Sequence, residues 1–142
     1  MSVKIAELAV GDRYEAVVVE DLSRTQLVMY AGASGDYNPL HSDEVYATQV
    51  AGYPTVIGHG ALTMGVTAKL VTDWLDDGEM VAFGVRFQRQ VWPGDTLTAS
   101  AVVSGLPATA DDTGRPVVEL ELETRNQKGE LVVSGYSRVR AL

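Results

Sequence analysis

A carboxylate, an amide and an imidazole, a combination that suits acid/base chemistry, lie within six residues of one another. Asp36, Asn38 and His41 belong to the segment SGDYNPLH, in which Gly35 and Pro39 restrict the backbone. A general base must lie within hydrogen-bond reach of the proton it takes, and short rigid loops hold groups at such distances. Histidine titrates near neutral pH, and burial of a carboxylate raises its pKa toward the same range. The segment predicts an acid/base pair, Asp36 and His41, that activates one water molecule.

The same residues also build turns. Asp and Asn side chains accept hydrogen bonds from nearby backbone N–H groups, and an Asn-Pro step starts a bend. On this alternative, Asp36 and Asn38 are turn formers and the presence of His41 is incidental. The segment by itself leaves both interpretations open.

A second group, Gly58-His59-Gly60, stands immediately before a long apolar segment. The first N–H groups of a helix have no acceptor within the helix and lie at the positive end of its dipole, so they suit an oxyanion. Gly60 has no side chain and would let a carbonyl group approach these donors. The alternative is that the glycines form a tight turn and that His59 is a buried structural histidine.

Composition limits the classes of protein and partner. The chain has 142 residues, of which 46% are hydrophobic, and no linker divides it, so we expect a single domain over residues 1–142. The net charge of -8 opposes binding to nucleic acid or anionic lipid. Cysteine is absent, which excludes thiolate metal sites and a thiol nucleophile. The N-terminus lacks the pattern of a secretion signal and no stretch would span a membrane, so we expect a cytoplasmic location.

The spacing of apolar residues predicts the elements that carry these groups. Apolar residues at helical spacing predict helices, and turn formers mark their ends. The segment 61–74 is apolar around its whole circumference, which is typical of a helix buried on most sides. The predicted elements are a strand over 13–20, a helix over 26–33 capped by Ser23 or Thr25, a short helix over 43–48 capped by Ser42, and the main helix over 61–74.

After the main helix the pattern changes to a period of two, which is typical of strands. Short turns between these strands favour an antiparallel sheet with one wet face, and the glutamates at 119, 121 and 123 fit that face. The main helix is the element apolar enough to cover the dry face. The sequence therefore predicts an α+β fold, a curved antiparallel sheet wrapped around one central helix, with strands over 81–88, 97–103, 118–123 and 131–139.

Three stretches resemble one family, in the same order along the chain. The segment YAGASGDYNPLHSD, at 30–43, resembles the hydratase signature of the MaoC-like hydratase/dehydratases and is highly specific. The segment IGHGALTM, at 57–64, is similar to the start of that family's central helix, and VRFQRQVWPGD, at 85–95, to its following strand and turn. The resemblance extends from about Gly11 to the last strand. Within this family, the sequence resembles the single-domain dehydratase subunits of actinobacterial fatty-acid and mycolic-acid synthesis.

The resemblance implies a hot-dog fold and a hydro-lyase. The implied reaction is the reversible hydration of a (2E)-enoyl thioester to a (3R)-3-hydroxyacyl thioester, carried by coenzyme A or acyl carrier protein. Asp36 and His41 would be the catalytic pair, Asn38 would orient the water or the pair, and the Gly60 amide would polarise the thioester carbonyl. No metal is implied, and no cofactor except the coenzyme A or phosphopantetheine of the substrate.

The resemblance also indicates a substrate path and one departure. Phe83 and Gly84 lie in a strand expected to line the acyl tunnel or the pantetheine path, and Arg86 is a candidate for binding the carrier's phosphate. The alternative for Arg86 is an exposed strand arginine without a special contact. Some R-specific hydratases have a serine two turns into the central helix, where this chain has Ala68.

Relatives of this kind commonly pair, so we expect a homodimer, or a heterodimer with a related hot-dog subunit. Two other functions fit the same fold. A thioesterase would direct water at the carbonyl carbon, but the order of Asp36, Asn38 and His41 argues against it. A non-catalytic binding subunit would be expected to lose Asp36 or His41, and this chain has both.

Overall fold

The computed structural model describes residues 2–107 and 112–142. Within these ranges the chain forms one sheet of five strands, two α-helices and three short helical turns. The strands are β1 (Arg13–Val19), β2 (Gly78–Phe87), β3 (Leu97–Gly105), β4 (Val117–Arg125) and β5 (Leu131–Ala141). The helices are α1 (Arg24–Ser34) and α2 (Gly60–Trp74), and the turns are Ile5–Glu7, Pro39–His41 and Tyr46–Val50.

The sheet has the strand order β1-β3-β4-β5-β2, and every neighbouring pair is antiparallel. Alternation along β4 shows how the sequence specifies its two faces. Leu120 and Leu122 are buried, whereas Glu121 between them is exposed. The predicted α+β arrangement, an antiparallel sheet packed on a central helix, is confirmed as the hot-dog fold.

Helix α2 packs on the inner face of this sheet and contacts β1, β2, β3 and β4. Leu70 and Val71 are almost fully buried, and the Trp74 ring stacks on Tyr14 of β1 with 5.6 Å between ring centroids. Thr67 is also buried, and its hydroxyl makes a 2.7 Å hydrogen bond with the Thr124 hydroxyl of β4. These contacts fix the helix, and therefore its N-terminus at Gly60, relative to the sheet.

The expected burial of α2 on most sides requires a correction. A stripe of the helix stays exposed because the sheet covers the opposite side. The exposed residues are Ala61, Gly65, Lys69, Thr72 and Asp73, which recur at helical spacing. The apolar residues around the whole circumference of α2 therefore predicted more burial than the helix has within one chain.

Helix α1 begins and ends where its caps dictate. The Ser23 hydroxyl accepts the Gln26 N–H, and the Gln26 side chain accepts the Ser23 N–H, which is a capping box. The helix therefore begins at Arg24, two residues before the predicted start. Gly35 ends it with a φ of 76°, a left-handed conformation that glycine adopts without strain.

The predicted short helix over 43–48 differs from the structure in position and type. Asp43 is its cap, rather than Ser42, because the Asp43 carboxylate accepts the Tyr46 N–H. The chain then widens into a π-helical turn at Tyr46–Val50, in which the Ala51 N–H donates to the Tyr46 carbonyl.

Across residues 2–107 and 112–142, no helix combines the length and the apolar character that a membrane crossing requires.

Candidate active site

The loop that follows α1 is held by hydrogen bonds between its own residues. One Asp36 carboxylate oxygen, Oδ1, accepts the Asn38 N–H at 3.2 Å, and the Asn38 Oδ1 accepts the Leu40 N–H at 3.0 Å. Asn38 thereby caps the turn Pro39–His41. Asp36 and Asn38 therefore both form turns, as the alternative interpretation of the sequence proposed. These hydrogen bonds leave the second Asp36 oxygen, Oδ2, free to face the site.

His41 is the residue that Asp36 Oδ2 faces. The His41 Nδ1 lies 2.7 Å from the Ile57 carbonyl oxygen, and because a carbonyl only accepts, Nδ1 carries the proton of the neutral ring. The Nε2 atom, which then carries the lone pair, lies 3.7 Å from Asp36 Oδ2. The His41 side chain is 11% exposed and that of Asp36 is 48% exposed, so the pair lies at a surface. At this separation one water molecule can hydrogen-bond to both groups.

His59 covers the other face of the His41 ring. The two imidazoles stack with centroids 3.7 Å apart and planes inclined by 22°, and the Tyr30 ring meets His59 edge-on at 4.8 Å. His59 is 1% exposed, and its Nε2 lies 3.2 Å from the Asp36 main-chain oxygen. Burial lowers the pKa of His59, and positive charge on His41 lowers it further, although the hydrogen bond to Asp36 acts in the opposite direction. The neutral ring is therefore favoured.

Gly60 opens α2 directly beside this pair of rings. Its N–H is one of the first-turn donors that have no acceptor within the helix. A Cβ atom built on Gly60 would lie 3.2 Å from Cζ of Phe87, so the aromatic ring occupies the space that a side chain would need. Glycine at this position lets Phe87 and the helix N-terminus approach each other closely.

A cleft of about 260 Å³ connects these groups. Asp36 is outside its lining but reaches it through the short distance to His41. The residues that line the cleft include His41, Gly60, Thr63, Phe87, Arg89 and Val91. An imidazole nitrogen, a helix N-terminus and an aromatic ring thus face a common space at the end of β2.

The geometry opposes a metal site, although ligand atoms of Asp36, His41 and His59 lie within 4.8 Å of one another. The lone pairs of an imidazole lie in the plane of its ring. Because the two rings are stacked nearly parallel, their nitrogens do not converge on one point. The His41 Nδ1 and the His59 Nε2 are also engaged by carbonyl oxygens. The arrangement fits proton transfer from a water molecule better than metal coordination.

Comparison with known proteins assigns the family. Residues 6–126 match the family model described as the MaoC like domain. The chain belongs to the MaoC-like domain family. The matched residues include both the loop of Asp36 and His41 and the start of α2, and the match confirms the family resemblance of the three sequence motifs.

The relatives of this MaoC-like domain include longer and similarly sized proteins. The chain is 31% identical over 136 residues to enoyl-CoA hydratase 2, peroxisomal, of Arabidopsis thaliana, covering 94% of the chain and 40% of that protein. It is 37% identical over 93 residues to the (R)-specific enoyl-CoA hydratase of Rhodospirillum rubrum, covering 64% of each. The structure of R-hydratase PhaJ1 from Pseudomonas aeruginosa superposes with a TM-score of 0.85 at 26% identity, covering 99% of this chain and 86% of that one. The chain spans only 40%, 31% and 26% of three longer curated relatives.

The three residues predicted to line the substrate path of this MaoC-like domain lie on two different faces of the sheet. Phe83 packs against the core on the α2 side of the sheet. Gly84 and Arg86 lie on the opposite face, beside a separate cleft of about 550 Å³. There the Tyr136 ring lies over Gly84, where a Cβ would be 2.6 Å from the ring. None of the three joins His41 in its cleft, and their roles in substrate binding stay predictions.

Sequence reasoning missed three residues of the site in this MaoC-like domain. His59 was treated only as a possible structural histidine, although both histidines of the chain share one stack. Thr63 and Arg89 line the cleft without having been singled out. No sequence signal singled out Arg89, which lies two residues beyond Phe87, the last residue of β2.

Proposed function

We propose that this MaoC-like chain catalyses the reversible addition of water to the α,β double bond of an enoyl thioester, yielding a 3-hydroxyacyl thioester. The observation that carries the proposal is the placement of Asp36 Oδ2 and His41 Nε2, 3.7 Å apart, beside the free N-terminus of α2 at Gly60. Names of relatives, among them an enoyl-CoA hydratase and a 3-hydroxyacyl-thioester dehydratase, support the same reaction.

The residues of the site have two roles in this reaction. The N-terminus of α2 stabilises negative charge on the thioester oxygen, and Asp36 and His41 transfer protons. The thioester carbonyl oxygen accepts the Gly60 N–H, and this donor and the helix dipole stabilise the enolate that forms. Water held between Asp36 and His41 gives a proton to the pair as its oxygen bonds to the β-carbon. A proton from the pair then bonds to the α-carbon as the enolate collapses. One water molecule is consumed, and the pair returns to its initial protonation state.

Asn38 supports this reaction through the loop. Its side chain fixes the turn that carries His41, and its N–H holds Asp36 Oδ1. The two oxygens of the Asp36 carboxylate thus have different partners. Oδ2 is the oxygen that takes part in proton transfer.

The direct test is hydration of crotonyl-CoA, with the loss of enoyl-thioester absorbance and the release of free thiol followed in parallel. Loss of absorbance without thiol is the expected result, together with a 3-hydroxybutyryl thioester of R configuration. Equal release of thiol would identify a thioesterase instead. If neither crotonyl-CoA nor longer and carrier-linked enoyl thioesters lose absorbance, the proposal is wrong.

We propose that Arg89 contacts the phosphate of a carrier, a role for which the sequence offered Arg86 as the candidate. Arg89 is exposed at the catalytic cleft, and no ion pair to it is found in the described ranges 2–107 and 112–142. In a chain with a net charge of -8, a cation at this cleft favours a negatively charged group on the substrate. Coenzyme A and phosphopantetheine both carry phosphate, at the end of the pantetheine arm that is remote from the thioester.

Arg89→Gln is expected to raise KM for crotonyl-CoA by about fivefold, equivalent to ~1 kcal/mol. The same variant should leave kcat/KM unchanged for the crotonyl thioester of N-acetylcysteamine, which has no phosphate. Arg86→Gln is the matched control and should change neither value, because Arg86 lies on the other face of the sheet. An equal effect of Arg89→Gln on both substrates would contradict the phosphate contact.

The assembly proposed for this chain is a dimer. Strand β2 lies at one edge of the sheet, so one row of its backbone groups has no partner strand within the described residues. A second hot-dog chain adding its own edge strand would satisfy these groups. Light scattering after size exclusion is expected to give the mass of two chains, and co-purification with a related subunit would indicate a heterodimer. The cytoplasmic location stays a prediction.

A further inference from the structure

His59 combines three features that a simple space-filling role does not require. The ring is 1% exposed, it covers one face of the His41 ring, and its Nε2 contacts the main chain of Asp36. Within the described residues its second nitrogen, Nδ1, is buried without a hydrogen-bond partner. Buried polar atoms without partners are uncommon and call for an explanation. An apolar ring would fill the same volume without leaving such an atom.

The hydrogen bonds give the two histidines opposite tautomers. The Asp36 carbonyl only accepts, so His59 carries its proton on Nε2, whereas His41 carries its proton on Nδ1 for the same reason toward Ile57. The contact made by His59 Nε2 explains why a histidine is present. Its hydrogen bond to the Asp36 carbonyl requires a donor, and the ring leaves Nδ1 unpartnered as a result.

We propose that His59 is a positioning residue. It holds the Asp36 main chain and the face of the His41 ring, so that Asp36 Oδ2 and His41 Nε2 keep their relative positions. The inference rests on the function proposed above. Of its two contacts, the hydrogen bond to Asp36 matters more. The Asp36 side chain is 48% exposed and belongs to a loop, whereas His41 is 11% exposed and is already fixed by its bond to Ile57.

Two variants separate these contacts. His59→Gln keeps an N–H donor at a position equivalent to Nε2 but loses the stacked ring. His59→Phe keeps the ring but loses the donor. Because a shift of the reacting groups by 1 Å costs up to about 100-fold in rate, we expect kcat of His59→Phe to fall at least about tenfold, with KM within about twofold of wild type. His59→Gln should retain an intermediate kcat.

Val71→Ala is the control for a general loss of stability. Val71 is buried near the other end of α2 and lies outside the catalytic cleft. This variant should unfold at a lower temperature than wild type and hydrate crotonyl-CoA with an unchanged kcat. The order of kcat values expected is wild type, then His59→Gln, then His59→Phe. A His59→Phe enzyme as fast as His59→Gln, or as fast as wild type, would overturn the proposal.

A spectroscopic measurement tests the contact without any reaction. The chain has only two histidines, so the imidazole ¹⁵N–¹H spectrum of labelled protein contains only two rings. At a pH where both are neutral, one ring should show the Nδ1–H form and the other the Nε2–H form, and the Nε2–H signals should disappear in His59→Phe. Two rings of the same tautomer would overturn the proposal. If the tautomers are opposite but wild type hydrates no enoyl thioester, the proposed function fails and the positioning contact stands.

Discussion

Asp36→Asn is expected to lower kcat/KM for the hydration of crotonyl-CoA by about 10² to 10⁴, the range that a positioned acid/base group supplies. The substitution keeps the loop intact, because an amide oxygen can still accept the Asn38 N–H that Asp36 Oδ1 accepts. It removes the basic oxygen that faces His41 Nε2. Initial rates, measured beside the thermal unfolding temperature, separate the loss of chemistry from a loss of fold.

His41→Gln should cause a loss of similar size, and the double variant should be little slower than the slower single variant, because the two residues act as a unit. Asp73→Asn is the control for the loss of one negative charge. Asp73 lies on α2 in an exposed ion pair with Lys69 and has no place in the catalytic cleft. Equal rates for wild type and Asp36→Asn would rule out Asp36 as a catalytic group.

Gly60→Ala is expected to lower kcat/KM by about 10², the loss that removal of one oxyanion donor produces. The new Cβ would lie 3.2 Å from the Phe87 ring and has to move that ring within the cleft. The methyl group also limits the approach of a thioester carbonyl to the helix N-terminus. Because Phe87 is 56% exposed and free to shift, stability should change little while activity falls.

Gly65→Ala is the matched control, since both glycines belong to α2. A Cβ on Gly65 meets nothing within 4 Å. Replacing a glycine in a helix interior by alanine removes backbone freedom from the unfolded chain, so the free energy of unfolding should rise by about 0.8 to 1 kcal/mol. Its hydration rate should equal that of wild type. A Gly60→Ala enzyme as active as Gly65→Ala would show that close approach at Gly60 is not used.

The features predicted from the sequence are those encoded by near neighbours. Period-two alternation in β4 fixed which side chains face α2, because successive residues of a strand point to opposite faces. Asp36 and His41 were found for a similar reason, since a six-residue segment limits how far apart they can lie. Helix boundaries were less accurate, because the capping box at Ser23 moved the start of α1.

The features that sequence reasoning missed depend on contacts between distant segments. His59 reaches Asp36 from 23 residues away, and nothing near His59 in the sequence predicts the stack with His41. The two arginines show the same limit. Arg86 lies within β2 and faces away from α2, whereas Arg89 follows the strand's last residue and reaches the cleft. A count of residues along the strand does not predict where the chain turns after its end.

The stack brings both histidines of the chain to one place beside the cleft. Histidine is the side chain whose unperturbed pKa lies between 5 and 8, and the chain has two histidines, both in the stack, and no cysteine. Apart from the amino terminus, the side chains whose unperturbed pKa lies in this range are therefore confined to the candidate active site. Calorimetric titration of a ligand in buffers of different ionisation enthalpy would count protons gained or lost there, with little background from the remainder of the molecule.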